Sequence, residues 1–492
     1  MQPKIKIMYI SSEIAPFVKA SGLADVAGAL PKAIKNMNHD IRVFTPKYTS
    51  INERKYTLRE VIRLKNIEVN VGHKKMKANV KSAFLPDSKV QVYFVDTDGY
   101  FSEVANSSHL LTQESGIHRA EQLVFFNRSL FEVLKILHWQ PDIIHCNDWQ
   151  TALIPLYLKT IYQADSFFSK TSILFSIHNW ADQGVFEKDI LPLIDNSETL
   201  FYPDGPIEFR EKINFLKTGI VFSDTINTIS KSYAKEALRS NELSFGLRAE
   251  LRKRTDDFCG IANGIDYTIW NPETDSLISH HYTSKDLAGK VANKKNLIET
   301  QGLKFNENIP VVGTIFSLVD QKEIDIFIGA LDDLMKLDLQ CIILGKGDEK
   351  YHQIFQRAAK KYQGKLCVIP KLDDQLIHQI AAGSDLFLIP SRVEPSGLNL
   401  MYSMRYGAIP IIHETAGLYD AVKKYDPNTK RGYGFVFSEF SPESLVNTTR
   451  QAIELYHDKS TWNKLIERAM KLDFSWDRSA EKYIELYYNL LT

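Results

Sequence analysis

The chain has 492 residues, of which 44% are hydrophobic and 24% charged, and this length is typical of about two or three soluble domains. Its 60 Lys and Arg residues balance its 60 Asp and Glu residues, so the formal net charge is zero. Nucleic acids and anionic membranes are bound by net or clustered positive charge, so the balance argues against both as partners.

The cysteines and the N-terminal residues predict the cellular compartment of the protein. Cys146, Cys259, Cys341 and Cys367 are widely spaced and form no CxxC pair, which indicates a reducing environment and gives neither a disulfide framework nor a zinc motif. The N-terminus lacks the apolar core of a signal peptide, and no apolar run of about 18 residues occurs. We therefore expect a cytoplasmic protein with no membrane contact.

The first half of the chain alternates strands and helices. Residues 4–11 and 41–45 are typical of buried strands and residues 23–36 of a helix, a unit that predicts a parallel sheet. Residues 62–96 alternate apolar and polar side chains, as antiparallel strands do. The remaining predicted elements of this half are a helix at residues 121–137 and buried strands at residues 142–147 and 172–178.

A second series of strands and helices follows in the C-terminal half. Its predicted strands are residues 311–318, 341–347, 366–370, 386–390 and 408–412. Helical patterns separate them, so we expect an α/β fold of two facing Rossmann-like, doubly wound domains. Sheets of this kind bind ligands at the carboxyl ends of their strands.

The composition along the chain predicts the domain boundaries. They are residues 1–270 for the N-terminal domain, 271–300 for an interdomain linker, 301–470 for the C-terminal domain and 471–492 for a final helix. The linker is assigned because residues 275–296 are polar and helical. The final helix is amphipathic and aromatic and has no strand partner left, which favours its crossing back to the first domain.

The strand at residues 386–390 leads into a candidate site. Pro390 ends the strand, and Glu394 then precedes Ser396, Gly397 and an apolar helical pattern. A carboxylate facing main-chain amides at a helix N-terminus suits a polyol or a phosphate. An N-capping turn with a solvated glutamate explains these residues equally well.

Another candidate lies after the first strand. Lys19 precedes Ala20, Ser21 and Gly22 at a helix start, so one cation and several main-chain amides suit a diphosphate. The alternative is a surface loop with a solvated lysine. Neither the GxxxxGK[ST] motif nor the GxGxxG motif is present.

Polar clusters follow two successive strands of the first half. Asp148 and Trp149 follow the strand at residues 142–147, whose end contains His145, and His178 ends the strand at residues 172–178. A lone histidine is more often structural than catalytic, but two clusters at successive strand ends favour a site. No His or Asp spacing matches a metal motif. In the second half, Lys322 is a candidate phosphate ligand.

Taken together, these segments resemble the bacterial glycogen synthases and plant starch synthases. The resemblance is carried, in this order, by SSEIAPFVK, GLADVAGALP, PDIIHCNDWQTAL, NGIDYTIWNPETD, PSRVEPSGL, MRYGAIPII and DFSWDRSAEKYIELY. It implies the GT-B architecture, with a deep interdomain cleft, and transfer of glucose from ADP-glucose to the non-reducing end of an α-1,4-glucan with retention of configuration. ADP-glucose and glycogen are the partners it implies, and neither a metal nor another cofactor is expected.

The resemblance assigns roles by position. The residues it implies for donor binding are Lys19, Gly22, Asp25, Asn263, Lys322, Ser396 and Gly397. Glu394 orients the transferred sugar, the main-chain carbonyl of His178 faces the developing positive charge, and Asp148 and Trp149 lie on the acceptor side. The implied catalytic set is His178, Glu394, Lys322 and Asp148. With no nucleophile near the sugar, front-face attack assisted by the leaving phosphate is implied.

Several departures from the family pattern cluster at this site. Ser317 stands where the family has a donor-phosphate arginine, and losing one such cation lowers a rate by about 10²–10³-fold. The other departures are Ala20, Ser21, Gln150, Asp182, Glu323, Leu372, Ser396 and Glu414. Two alternatives therefore stay open: a weak or inactive paralogue that binds glucan or regulates a partner, and a synthase that uses another donor such as UDP-glucose.

Overall fold

The computed structural model of the chain describes residues 3–97, 99–101, 116–195, 197–318, 322–371, 373–392, 394, 397–415, 417–418 and 420–492. For residues 197, 317–318 and 322–323 the description is confined to the main chain. The chain divides into two units, the first formed by Met1–Gly264 with Trp476–Thr492 and the second by Ile265–Ser475.

The strands of the described residues form three sheets. In chain order they are β1 Lys6–Ile10, β2 Asp40–Pro46, β3 Arg59–Glu60, β4 Ile67–Val71, β5 Lys74–Phe84, β6 Gln91–Asp96, β7 Ile143–Asn147, β8 Ser172–Ile177, β9 Val185–Phe186, β10 Glu208–Phe209, β11 Lys212–Asn214, β12 Thr225–Thr228, β13 Phe258–Gly260, β14 Val311–Leu318, β15 Gln340–Gly347, β16 Leu366–Ile369, β17 Leu386–Ile389, β18 Ile409–His413 and β19 Phe435–Phe437.

The helices alternate with these strands. They are α1 Gly22–Asn36, α2 Ile117–Leu137, α3 Leu153–Lys159, α4 Phe215–Phe222, α5 Lys231–Arg239, α6 Arg248–Lys253, α7 Ala288–Thr300, α8 Lys322–Leu334, α9 Glu349–Lys361, α10 Asp374–Gly383, α11 Leu398–Arg405, α12 Pro442–Tyr456, α13 Lys459–Met470 and α14 Trp476–Leu490. Short 3₁₀ helices span Ile62–Leu64, Trp149–Thr151, Ser166–Phe168, Lys188–Leu193, Ser197–Thr199 and Thr255–Asp257. No described helix is long and apolar enough to span a membrane.

The first unit is built on a large mixed sheet. Its described strands follow the order β13-β12-β8-β7-β1-β2-β6-β5-β3, and β4 pairs with β5. The strands from β13 to β6 run parallel to one another, whereas β5 is antiparallel to both β4 and β6. The antiparallel strands predicted for residues 62–96 are thus confirmed, and β6 also pairs in parallel with β2. Because β1, β7 and β8 are neighbours, the loops that follow them meet at one edge.

The second unit contains a parallel sheet with the order β16-β15-β14-β17-β18-β19 among its described strands. The order reverses between β14 and β17, as in doubly wound folds that bind ligands at this switch point. Near-continuous apolar runs such as 386–389 form these strands because both faces of the sheet are covered.

The last helix belongs to the first unit. Tyr487 of α14 hydrogen-bonds through its hydroxyl to Nδ1 of His145 at 2.7 Å, and Asn227 donates to the Tyr483 hydroxyl at 3.1 Å. All four side chains are buried, so α14 seals the sheet with a polar network that is internally satisfied.

The sequence predicts a linker at residues 271–300, but the structure has these residues inside the second unit. On α7, the buried Lys290 amine donates to the carbonyl oxygens of Ala382, Ser384 and Tyr406 at 3.2, 2.9 and 2.9 Å. Lys294 pairs with Asp385 at 2.7 Å. Two of the polar residues on which the linker was assigned, Lys290 and Lys294, are therefore buried donors, which sequence polarity does not reveal. The units change at residues 264 and 476.

Candidate active site

A buried glutamate organises the loop after β1. Glu13 is 1% exposed, and its carboxylate accepts the main-chain N–H groups of Ala20 and Ser21 at 2.6 and 2.9 Å together with the Ser21 hydroxyl. Burial raises the pKa of Glu13 despite these donors. Two of the amides that the sequence suggested for a diphosphate are thus already bound to a carboxylate within the chain.

The same loop begins α1 and presents the predicted donor lysine. The Ser21 hydroxyl accepts the N–H of Leu23 at 3.1 Å and so caps the helix that starts at Gly22. Lys19 pairs with Asp25 at 2.9 Å, and about half of the lysine side chain is exposed. Ser21, a departure from the family pattern, therefore has a structural role as the helix cap.

Asp148 fixes the turn after β8. It follows β7 with a positive φ of 57°, and its Oδ1 accepts the N–H of His178 at 2.7 Å. The N–H of Asn179 also donates to this carboxyl group. Burial, and to a smaller extent the nearby Asp182, raises the pKa of Asp148 to about 8. Two consecutive amides of the next loop are therefore held by one side chain.

His178 is held as a neutral imidazole. Its Nε2 lies 2.9 Å from Asn147 Oδ1, and that oxygen also accepts the Tyr9 hydroxyl at 3.0 Å. Asn147 in turn donates to the Ile10 carbonyl at 2.9 Å, which joins β7 to β1. Burial lowers the pKa of His178 to about 4, so the ring carries no charge at neutral pH.

Trp149 supports the loop that starts at His178. It is 2% exposed, and a Cβ atom at Gly184 would lie 2.1 Å from its ring. Gly184 also has a φ of 61°, so both the close approach and the backbone require glycine. The indole lies beneath the loop and does not form an open surface.

Several buried polar atoms in these loops have no hydrogen-bond partner among the described residues. They are Asn263 Oδ1, Trp149 Nε1, Gln150 Oε1 and Trp180 Nε1. Buried polar atoms without a described partner also occur elsewhere in both units, among them Thr45 Oγ1, Tyr157 Oη and Trp462 Nε1, so these four atoms do not by themselves mark a ligand site. Asn263 is 5% exposed and follows β13.

Glu394 lies at the start of α11 in the second unit. Its Oε1 accepts the N–H of Gly397 at 3.2 Å, and Gly397 has a φ of 58°. Gly397 is the N-cap residue of α11, so this contact closes the turn before the helix and holds the carboxyl group near the carboxyl end of β17. Ser396 lies outside the described residues. Lys322 is the first residue of α8, and for this residue the structure describes the main chain alone.

A second acidic group lies after β18. The exposed Glu414 accepts the Ser438 hydroxyl at 2.6 Å, and its N–H donates to the Phe437 carbonyl at 2.9 Å. Thr415 donates to the Arg392 carbonyl at 2.7 Å and joins this loop to the one that contains Glu394. The family resemblance has an arginine at position 414, so the charge here is reversed.

The structure groups the predicted residues by unit. The first unit has Lys19, Gly22, Asp25, Asp148, Trp149 and His178 after the neighbouring strands β1, β7 and β8, and Asn263 after β13. In the second unit, Lys322 and Glu394 follow the neighbouring strands β14 and β17. The roles of Glu13, which binds the loop amides, and of Asn147, which binds His178, were not predicted from the sequence, although both residues lie in segments that carry the resemblance. Among described residues, no group of three His, Cys, Asp or Glu side chains is arranged to hold a metal.

Comparison with known proteins gives consistent matches over nearly the whole chain. Residues 6–253 match the starch synthase catalytic domain family, and residues 297–472 match the glycosyl transferases group 1 family. Glycogen synthases of Thermotoga petrophila and Thermosipho africanus are each 41% identical to it, with 99% of both chains covered. The catalytic domain of starch synthase IV from Arabidopsis thaliana, bound to ADP and acarbose, superposes with a TM-score of 0.90 at 31% identity and covers 99% of this chain and 100% of its own. The predicted α/β class with two Rossmann-like domains is thereby confirmed.

Proposed function

The chain belongs to the glycogen and starch synthase family of glycosyltransferases, and we propose that it transfers glucose from ADP-glucose to the non-reducing end of an α-1,4-glucan with retention of configuration. The resemblance found in the sequence is confirmed at the level of the family. The ADP and acarbose bound to the similar starch synthase IV support the choice of an adenine nucleotide and a glucan-like acceptor.

The observation that carries the proposal is the double clamp of Asp148 on the amides of His178 and Asn179. Breaking the bond between glucose and a diphosphate builds positive charge on the sugar and negative charge on the leaving group. A preorganised carbonyl dipole stabilises the first charge. We propose that the clamp orients the main-chain carbonyl of His178 for this role and that Glu394 orients the sugar hydroxyls.

The negative charge of the leaving group requires cations. We propose that Lys19 and Lys322 bind the diphosphate, with Gly22, Asp25, Asn263, Ser396 and Gly397 completing the donor site. The 4-hydroxyl of the acceptor forms a bond to C1 on the face from which the diphosphate leaves, and its proton passes to the departing phosphate oxygen. A neutral His178 is suited to this route because it contributes no competing positive charge beside the sugar.

No metal or other cofactor has a part in this proposal, and we propose a cytoplasmic location. A glucan-binding relative with little turnover is the second candidate function. Ser317 stands where the resemblance implies an arginine that binds the donor phosphates, so one cation is missing. The exposed Glu414 stands where the resemblance implies another arginine and adds a negative charge. A donor other than ADP-glucose, such as UDP-glucose, is the remaining alternative.

The experiment that tests the proposal follows labelled glucose from ADP-glucose into glycogen. The labelled glycogen is then treated with β-amylase, which releases maltose from non-reducing ends in α-1,4 linkage. We expect the label to be released as maltose. Glu394→Gln should abolish incorporation, whereas Glu439→Gln, an exposed glutamate of the same unit, should leave it unchanged. Calorimetric titration with ADP and UDP identifies the donor base. Incorporation from UDP-glucose alone, or equal activity of Glu394→Gln, would contradict the proposal.

A further inference from the structure

Phe245 is an exposed aromatic residue in an ordered but strained turn. Its side chain is 43% exposed and its φ is 47°, a left-handed value that bulky residues rarely adopt. The turn is closed by hydrogen bonds from the Phe245 N–H to the Glu242 carbonyl at 3.1 Å and from the Gly246 N–H to the Asn241 carbonyl at 2.9 Å. The strain is therefore built into a defined conformation.

A buried amide joins this turn to the loop that starts at His178. Gln183, 5% exposed, donates from Nε2 to the carbonyls of both Phe245 and Trp180 at 3.2 Å. Its Oε1 accepts the Asn214 side-chain N–H at 2.7 Å, so the Gln183 side chain is fixed at both ends. The position of Phe245 is thus coupled to the same loop whose first residue is clamped by Asp148.

A guanidinium lies beside the turn. A Cβ atom at Gly246 would lie 2.7 Å from the Phe209 ring and 3.2 Å from Nη2 of Arg210. The exposed Arg210 lies with its Cζ 5.0 Å from the centroid of the Phe209 ring, and its own φ is 54°. An exposed aromatic side chain and an exposed guanidinium thus lie at the turn that Gln183 joins to the loop starting at His178.

We propose that Phe245 is a stacking platform for a glucose ring of the α-1,4-glucan acceptor, with Arg210 donating to its hydroxyl groups. The apolar C–H face of a pyranose packs on an aromatic ring, while its hydroxyls need donors and acceptors at the edge. Single exposed aromatic residues are ordinary on protein surfaces. Phe245 differs because a strained backbone holds it out, and strain of this kind gathers at ligand sites. The inference rests on the proposed function, since it names a contact of the acceptor.

The test measures binding of maltoheptaose by calorimetry and its KM in glucosyl transfer. Phe245→Ala should raise both the Kd and the KM for maltoheptaose by about 3- to 10-fold, the range expected for loss of one aromatic contact. The KM for ADP-glucose should stay unchanged. Phe245→Tyr should behave like the wild type, and so should Phe84→Ala, which removes a 61% exposed phenylalanine from β5 of the same unit.

A further variant separates binding from folding. Asn tolerates left-handed backbone, so Phe245→Asn should melt no lower than the wild type and yet bind maltoheptaose as weakly as Phe245→Ala. Wild-type affinity in Phe245→Ala would overturn the inference even if transfer from ADP-glucose is observed. Loss of binding in Phe245→Ala without turnover in any variant would support the glucan contact and overturn the proposed reaction. Absence of both maltoheptaose binding and turnover in the wild type would overturn both.

Discussion

Asp148 Oδ1 accepts the main-chain N–H of His178 at 2.7 Å, and this contact joins the ends of two neighbouring strands, β7 and β8. The carboxyl group also accepts the N–H of Asn179. A side chain on one strand end thus sets the backbone of the next. We regard Asp148 as a positioning residue, because it acts through the main chain of His178.

Replacing Asp148 by Asn is expected to lower kcat by about 10²-fold, the effect of misplacing one preorganised dipole. Asparagine has one acceptor oxygen where the carboxyl group has two, so it holds the N–H groups of His178 and Asn179 less firmly and the turn shifts. The KM for ADP-glucose should change less than kcat. Initial rates with glycogen measure both, and Asp189→Asn, an exposed carboxyl in the same unit, is the control. An unchanged kcat in Asp148→Asn would exclude the positioning role.

The same residue predicts how stability depends on pH. Burial raises the pKa of Asp148 from 3.8 to about 8, so between these pH values the folded state keeps a proton that the unfolded state releases. The contribution of Asp148 to the free energy of unfolding therefore falls as pH rises from about 4 to about 8. Denaturant unfolding at pH 5 and pH 8 should show Asp148→Asn gaining stability relative to the wild type at the higher pH. A difference that is independent of pH would contradict this assignment.

Lys290, the buried lysine of α7, gives a prediction about residues 271–300. Lys290→Met removes the lysine donor from the carbonyl oxygens of Ala382 and Ser384 and leaves that of Tyr406 with the Tyr282 hydroxyl, and we expect a loss of about 2–3 kcal/mol in the free energy of unfolding. Lys295→Met, on the exposed face of the same helix, should change stability by less than about 0.5 kcal/mol. Thermal or denaturant unfolding compares the two. Equal stability of the two variants would mean that residues 271–300 behave as a linker after all.

The elements with strong apolar patterns were the ones that the sequence could predict. The runs at 143–147, 172–177 and 386–389 are buried strands, and the polar residues directly after them form the candidate sites. Polar residues that are buried by distant partners could not be predicted. Glu13 is clamped to the loop at residues 20–21, and Lys290 donates to carbonyls more than ninety positions away. Both look like solvated charges in a sequence, because their partners are known from the fold alone.

The rate of glucose incorporation from ADP-glucose into maltoheptaose, compared between the wild type and Ser317→Arg, distinguishes a synthase from a glucan-binding relative. Ser317 lies at the carboxyl end of β14, paired in register with Lys346 of β15. We predict incorporation by the wild type and an increase of about 10²–10³-fold in kcat/KM when the donor-phosphate cation is restored. No incorporation above a protein-free blank by either protein, with maltoheptaose binding intact, would contradict a synthase and leave a glucan-binding protein.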